Sequence, residues 1–158
     1  MSQNQNDPSS SGDGDGADAG TKAKCVPCES LDPSSLLSLK QAEKKLSILS
    51  SSIWKSVIGS DSDDFVSKIH KSFTAKNFQA ALDAINAIGV IAEREGHHPD
   101  LHLTSFREVE VVIYTHSVGG LTMNDVTLAK MIEDEVQIMY SPKWLRENPD
   151  AAASAIGK

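Results

Sequence analysis

The sequence predicts an α+β fold, a two-layer sandwich with three helices on one face of a four-stranded antiparallel sheet. Three segments place apolar residues at the i, i+3, i+4 spacing of a helix, and four short stretches have strand composition. Their order, α-β-β-α-β-β-α, makes two hairpins that alternate with helices, which favours an antiparallel sheet. A length of 158 residues suits one domain, which we expect to span residues 25–145.

The N-terminal segment, residues 1–24, contains no Val, Ile, Leu, Phe, Trp or Tyr. It cannot bury enough apolar surface to offset its ordering entropy, so a disordered arm is predicted. It has no apolar signal segment, and it carries four Asp and no Arg, unlike a transit peptide. A cytoplasmic location is expected, with the mitochondrion or plastid as the alternative if the precursor is longer.

The first half of the chain predicts a helix and a hairpin. Ser38 and Gln41 form a capping box, and apolar residues at helical spacing continue to about Leu49. Two strands follow, at residues 53–58 and 65–73, with a polar turn at residues 59–64 between them.

The second half repeats this order. Asn77 caps the strongest helix, which ends near Gly96. Strands are predicted at residues 101–105 and 109–115, the second being rich in β-branched residues. A second cap signature, Thr122 with Asp125, begins the last helix, and Ser141-Pro142 ends it. The tail, residues 146–158, is predicted to be irregular, with Trp144 and Leu145 packing back onto the domain.

Composition and motifs exclude several classes of function. A net charge of −7 and a pI near 5.1 argue against binding to nucleic acid. No apolar run is long enough to span a bilayer. The chain has no phosphate-binding loop, dinucleotide fingerprint or Gly-x-Ser-x-Gly motif.

Cys25 and Cys28 form one CxxC pair beside the predicted arm, which favours a structural or incidental role over a redox or zinc site.

Three histidines carry the functional signal. His97 and His98 follow the strongest helix, and Pro99 restricts His98 to extended backbone. Adjacent residues on extended backbone point to opposite sides, so the pair is poorly arranged to grip one ion. His116 ends the strongest strand. A hairpin near Phe106 brings both strand ends, and with them the three imidazoles, to the same edge.

Each histidine also has a plain structural explanation. His97 can interact with the helix dipole, and His116 can be a turn residue. Asp125 at the third helical position can simply reach back to the N-cap. Convergence of three imidazoles favours acid/base chemistry. No carboxylate or thiol is placed in sequence to complete a metal site, so we predict none. His70 and His102 are read as solvated or half-buried strand residues.

These residues resemble a known family. Glu93, three residues, His97-His98-Pro99, six residues, Phe106, nine residues, His116, eight residues and Asp125 is similar to the signature of the pterin-4a-carbinolamine dehydratases. The resemblance spans roughly residues 25 to 140. The family's fold agrees with the element order above. Many members have Trp where this chain has Leu101, so that aromatic ring is either lost from the pocket wall or supplied by Phe106. The spacing from His98 to His116 is one residue longer than in animal members.

The resemblance implies a lyase that removes water from 4a-hydroxytetrahydrobiopterin during pterin recycling, with no metal or redox cofactor. It implies catalytic roles for the three histidines, with His98 at the 4a hydroxyl, His97 assisting and His116 closing the other side. Asp125 would orient His116 or bind the pterin ring, and Glu93, Pro99 and Phe106 would support the site. It also implies a homodimer or homotetramer. The alternative is a non-catalytic interaction or dimerisation partner resembling a transcriptional coactivator.

Overall fold

The computed structural model describes residues 25–27, 30–47, 49, 53–59 and 65–156, the side chains of residues 153–156 excepted. The predicted arm, Cys28 and most of the predicted turn at residues 59–64 lie outside these residues. The described elements follow one another in the order α-β-β-α-β-β-α, with two short helices after them. They are α1 (Leu39–Leu46), β1 (Trp54–Ile58), β2 (Val66–Thr74), α2 (Phe78–Glu95), β3 (Asp100–Thr104), β4 (Glu108–Ile113), α3 (Met123–Glu135), α4 (Pro142–Glu147) and α5 (Pro149–Ile156), preceded by a 3-10 turn at Pro33–Ser35.

The four strands form one antiparallel sheet in the order β1-β2-β4-β3. The predicted α+β class is confirmed. The hairpin strands β3 and β4 pair Asp100 with Val112, and β2 pairs Ile69 with Ile113. The two hairpins therefore join through β2 and β4, which leaves β1 and β3 at the edges.

One face of the sheet is covered by helices. Alternate residues of β2 and β4 face inward because side chains alternate along a strand. Phe73, Val109 and Val111 belong to this inner face, and each is at most 2% exposed. They share one core with apolar residues of α1, α2 and α3, namely Ala42, Ala81, Ala84, Ile88, Leu128 and Ile132. The opposite face carries Lys68, His70, His102 and Glu110.

The helix boundaries follow the predicted caps. Ser38 and Gln41 form the capping box of α1, although the helix ends at Leu46, before the predicted end near Leu49. Asn77 accepts from the amide of Ala80 at the start of α2, and Gly96 ends that helix with φ 63°. A left-handed residue is where glycine is favoured, so this boundary is encoded locally. No helix among the described residues has the length and apolar content needed to cross a membrane.

The prediction of an irregular tail is wrong. Residues 142–147 and 149–156 are helical. Pro142 stands at the start of α4, where its missing amide hydrogen leaves no helical bond unmade. Packing back by Trp144 is observed, since its ring stacks on Tyr140 at 4.8 Å and Tyr140 meets Phe73 edge-on at 5.6 Å.

A buried ion pair joins the sheet to α3. Lys71 Nζ donates to Glu133 Oε1, and the indole nitrogen of Trp54 donates to the same oxygen at 2.8 Å. Lys71 is 1% exposed and Glu133 is 9% exposed. Burial raises the pKa of the nearby Tyr140 phenol, and the negative charge of Glu133 adds to this. The pair fixes β1, β2 and α3 to one another with charge-assisted bonds.

Replacing Glu133→Ala should destabilise the protein by about 3–5 kcal/mol, because it removes the carboxylate from a buried ammonium group. Urea denaturation followed by tryptophan fluorescence measures this. Lys130→Ala, which breaks an exposed pair with Asp134 on the same helix, is the control and should cost less than about 1 kcal/mol. Equal losses in the two variants would contradict a structural role for the buried pair.

Candidate functional site

His97 lies inside the protein at the end of α2. The left-handed turn at Gly96 redirects the chain, and the His97 amide donates to the Ala92 carbonyl at 3.1 Å. The ring is 3% exposed, and its Nε2 lies 2.7 Å from Asp125 Oδ1. A buried imidazole and a buried carboxylate therefore face each other between the end of α2 and the start of α3.

Asp125 has no exposed surface and is surrounded by donors. Its Oδ2 accepts from the Thr122 amide at 2.6 Å and lies 2.9 Å from Thr115 Oγ1 and 3.0 Å from Thr122 Oγ1. The two hydroxyl oxygens are themselves 2.8 Å apart. The two hydroxyl protons are therefore shared among three oxygen–oxygen contacts, two to Asp125 and one between the threonines. Burial of a carboxylate is tolerated when its oxygens are satisfied in this way. The capping box of α3 is thus also the anchor of His97.

His98 lies on the opposite side of the chain. Its Nε2 is 3.0 Å from Glu93 Oε2, and the side chains of His98 and Glu93 are 63% and 84% exposed. The two adjacent histidines diverge, as their extended backbone predicts. One imidazole is held in the interior and the next is available at the surface.

His116 is exposed and stacks on Tyr114, with the ring centroids 4.1 Å apart and the planes 13° from parallel. Thr115 lies between these two residues in the chain and contacts Asp125. His116 is therefore connected to the His97–Asp125 pair through its neighbour. The stack restricts the orientation of the His116 ring.

Two expectations about supporting residues change. The hydrogen-bonded histidine of Asp125 is His97, whereas the resemblance implied that Asp125 would orient His116 or bind the pterin ring. Phe106 lies in the turn between β3 and β4, at the other end of β3 from His98, and is 61% exposed with Arg107 over its ring. Its position does not supply an aromatic wall beside His98 within this chain. Pro99 is half-buried between His98 and the first residue of β3.

Sequence reasoning missed Thr115, the Thr122 hydroxyl and Tyr114 as parts of the site. A signal for Thr115 was present, because Val109, Val111 and Ile113 share its strand parity and point inward. Thr122 was recognised only as a cap. The stacking of Tyr114 on His116 follows from the turn geometry after β4 and has no sequence signal of its own.

The arrangement suits proton transfer at a surface site. His98 and His116 each present an exposed imidazole, a side chain that serves as a general acid or base in catalysis. The buried Asp125 binds the chain neighbours of both, His97 and Thr115, and so fixes the backbone beside each exposed imidazole. In the described part of the chain, no three His, Cys, Asp or Glu side chains are grouped as the ligands of a metal ion.

Known proteins are similar to this chain in sequence and in fold. The family model for pterin 4 alpha carbinolamine dehydratase matches residues 35–135. The chain is 39% identical over 122 residues to the mitochondrial pterin-4-alpha-carbinolamine dehydratase 2 of Arabidopsis thaliana, covering 77% of this chain and 60% of that protein. A relative from Chlorobaculum tepidum assigned to the same enzyme family is 40% identical over 109 residues, which is 69% of this chain and 90% of the relative.

A solved structure agrees with the fold. The crystal structure of a transcriptional coactivator/pterin dehydratase from Brucella melitensis superposes with a TM-score of 0.53 and 26% identity, over 63% of this chain and 96% of that one. The family match covers more than half of the chain and contains all three histidines and Asp125. The resemblance seen in the sequence is confirmed, and the chain belongs to the pterin-4a-carbinolamine dehydratase family of hydro-lyases.

Proposed function

We propose that this protein dehydrates 4a-hydroxytetrahydrobiopterin to the quinonoid dihydropterin in pterin recycling. Family membership supports the pterin substrate class. The observation that carries the proposal is that both residues bound to Asp125, His97 and Thr115, are followed in the chain by an exposed histidine, His98 and His116. This reaction asks for acid and base groups and no electron transfer. The reaction needs no cofactor.

The chemistry is a loss of water. The C4a–O bond breaks, and its electron pair leaves with the hydroxyl oxygen, which takes a proton and departs as water. A ring nitrogen loses its proton, and the nitrogen lone pair forms the C=N bond of the product. An acid near the oxygen and a base near the nitrogen lower the barrier, each by about 10²–10⁴ in rate.

The exposed histidines are the groups that would touch the pterin. His98 is assigned to the 4a hydroxyl, since its Nε2 faces Glu93 and its ring is open to solvent. His116 is assigned to the other side of the pterin, with Tyr114 holding its ring. His97 is 3% exposed and bound to Asp125, so it assists from beneath by positioning the chain that carries His98.

His98→Ala should lower kcat by about 10²-fold, because it removes one acid/base group. The substrate is generated in situ by an aromatic amino-acid hydroxylase, and quinonoid product is followed by absorbance against the spontaneous rate. His102→Ala is the matched control, since His102 is also an exposed histidine but lies on the helix-free face of the sheet. A rate near that of the wild type for His98→Ala would refute the assignment.

Asp125→Asn should lower both stability and kcat. The amide keeps the shape of the carboxylate but turns one acceptor into a donor, which faces either His97 or the threonine donors. A mismatched buried polar group costs about 1–3 kcal/mol. We expect a fall in kcat of at least about tenfold, measured where circular dichroism shows full folding, because His97 loses its fixed orientation. A stable, fully active variant would show that the buried bond is dispensable.

Self-association is the second part of the proposal. The outer face of α2 and Leu101 of β3 form a groove whose lining includes Val90, which is 70% exposed, beside the polar Asn86, Glu93 and Arg94. Ile85, Gly89 and Leu101 line the same groove. An exposed apolar helix face marks a contact surface, and a homodimer or homotetramer would bury it. The name of the Brucella structure, which includes transcriptional coactivator, supports a partner protein at such a surface as the alternative.

Val90→Glu distinguishes these possibilities. If the groove joins copies of this chain, sedimentation should show the wild type as an oligomer and the variant at the 17.0 kDa of the monomer. Lys130→Ala on the exposed face of α3 serves as the control and should leave the mass unchanged. A wild type that is monomeric at micromolar concentration would contradict self-association and favour a partner protein.

The proposed compartment rests on composition and on one relative. The acidic N-terminal segment without Arg supports a cytoplasmic location. The Arabidopsis relative is named mitochondrial, which supports the organellar alternative. Cell fractionation with an antibody against the natural protein decides between them.

A further inference from the structure

A short N-terminal segment, Cys25–Pro27, lies across the two helix ends that build the site. We call it the strap. The Cys25 amide donates to Glu95 Oε2 at 3.4 Å, and the Cys25 thiol contacts the Asn124 carbonyl at 3.7 Å. Cys25 is 9% exposed. The strap therefore contacts the last residue of α2 and the first turn of α3 together.

The side-chain amide of Asn124 grips the strap by two hydrogen bonds. Its Nδ2 donates to the Val26 carbonyl at 2.8 Å, and its Oδ1 accepts from the Val26 amide at 3.0 Å. The two bonds imitate the pairing between neighbouring strands, across 98 positions of sequence. Asn124 is 5% exposed, so the pairing is shielded from water on the Asn124 side, while Val26 on the other side is half exposed.

The residues that the strap contacts are next to the buried pair. Glu95 is two residues before His97, and Asn124 immediately precedes Asp125. The 2.7 Å bond between His97 and Asp125 depends on how the end of α2 meets the start of α3. We propose that the strap and Asn124 are positioning elements for catalysis, which hold these helix ends in register and do not touch the substrate. This inference rests on the proposed function.

The contact is not needed to form the helices. The start of α3 is already capped by Thr122 and Asp125, so the bonds of the Asn124 side chain to Val26 are additional to the cap. Ala84 and Ile88 of α2 and Leu128 of α3 belong to the shared hydrophobic core. The Val26 side chain is 50% exposed, so the strap adds directional polar bonds at Asn124 more than buried apolar area. Directional bonds at the helix ends restrict orientation, which is what proton transfer requires.

Two variants remove the contact from opposite sides. Val26→Pro deletes the amide hydrogen that Asn124 accepts, and Asn124→Ala deletes the gripping amide. We expect each to lower kcat about tenfold with KM changed less than about twofold, since misplacement of the acid/base groups affects the chemical step. Val26→Ala is the matched control, because it keeps the amide and removes only the exposed side chain.

The double variant tests whether both act through one contact. Val26→Pro with Asn124→Ala should be no slower than the slower single variant, because two changes to the same contact are not additive. Losses that multiply, or kcat values within about twofold of the wild type, would overturn the inference. All rates are taken at a temperature at which every variant is folded by circular dichroism.

A second readout does not depend on turnover. Because His97 Nε2 lies 2.7 Å from the Asp125 carboxylate, we expect its proton to give a downfield, slowly exchanging NMR signal in a protein labelled with ¹⁵N-histidine. We expect this signal to broaden or exchange faster in Val26→Pro and Asn124→Ala and to persist in Val26→Ala. An unchanged signal refutes the strap even in an active enzyme. A wild type without dehydratase activity refutes the proposed function, while the signal still decides whether the strap holds the pair.

Discussion

A carboxylate without access to water must find donors from the protein, and Asp125 takes them from three parts of the chain. It binds the imidazole of His97 after α2, the hydroxyl of Thr115 after β4 and the cap of its own helix. These elements cannot shift separately without leaving a buried charge unpaired, which is expensive in a low-dielectric interior. The positions of His98 and His116 follow from this constraint, since each is the chain neighbour of a residue bound to Asp125.

The structure separates two tasks that one histidine cannot perform well. A ring that exchanges protons with a substrate has to be accessible, whereas a ring that fixes the backbone has to be buried and bonded. The His97-His98 sequence assigns these tasks to adjacent residues by pointing one inward and the other outward. Pro99 keeps His98 on extended backbone, so the local backbone geometry points the His97 and His98 side chains to opposite sides. In the inference above, the strap adds a second positioning contact, through its bonds to Glu95 and Asn124 at the same helix ends.

Local rules explain what the sequence could predict. The caps at Ser38, Asn77 and Thr122 depend on residues within one turn, so their positions could be read directly. The helices of the tail could not be predicted, because a proline is compatible with both the end and the start of a helix. Pro142 stands at the first helical position, and only the packing of Trp144 on Tyr140 decides in favour of a start. The partner of Asp125 was beyond local rules as well, since it depends on how α2 and α3 dock. The same holds for Phe106, whose distance from His98 is set by the length of β3.

The strand order has a consequence for how the chain reaches this structure. Each hairpin pairs strands that are close in sequence, but the central contact joins β2 to β4, where Thr74 and Glu108 are 34 positions apart. Pairings of distant residues slow folding because a long loop has to close first. Here α2 fills most of that loop, and a formed helix shortens the flexible chain that closure must order. The helix that precedes His97 therefore also helps β2 and β4 to pair during folding. Substitutions that lower the helix propensity of α2 would slow folding even where they leave the contacts of the folded state intact.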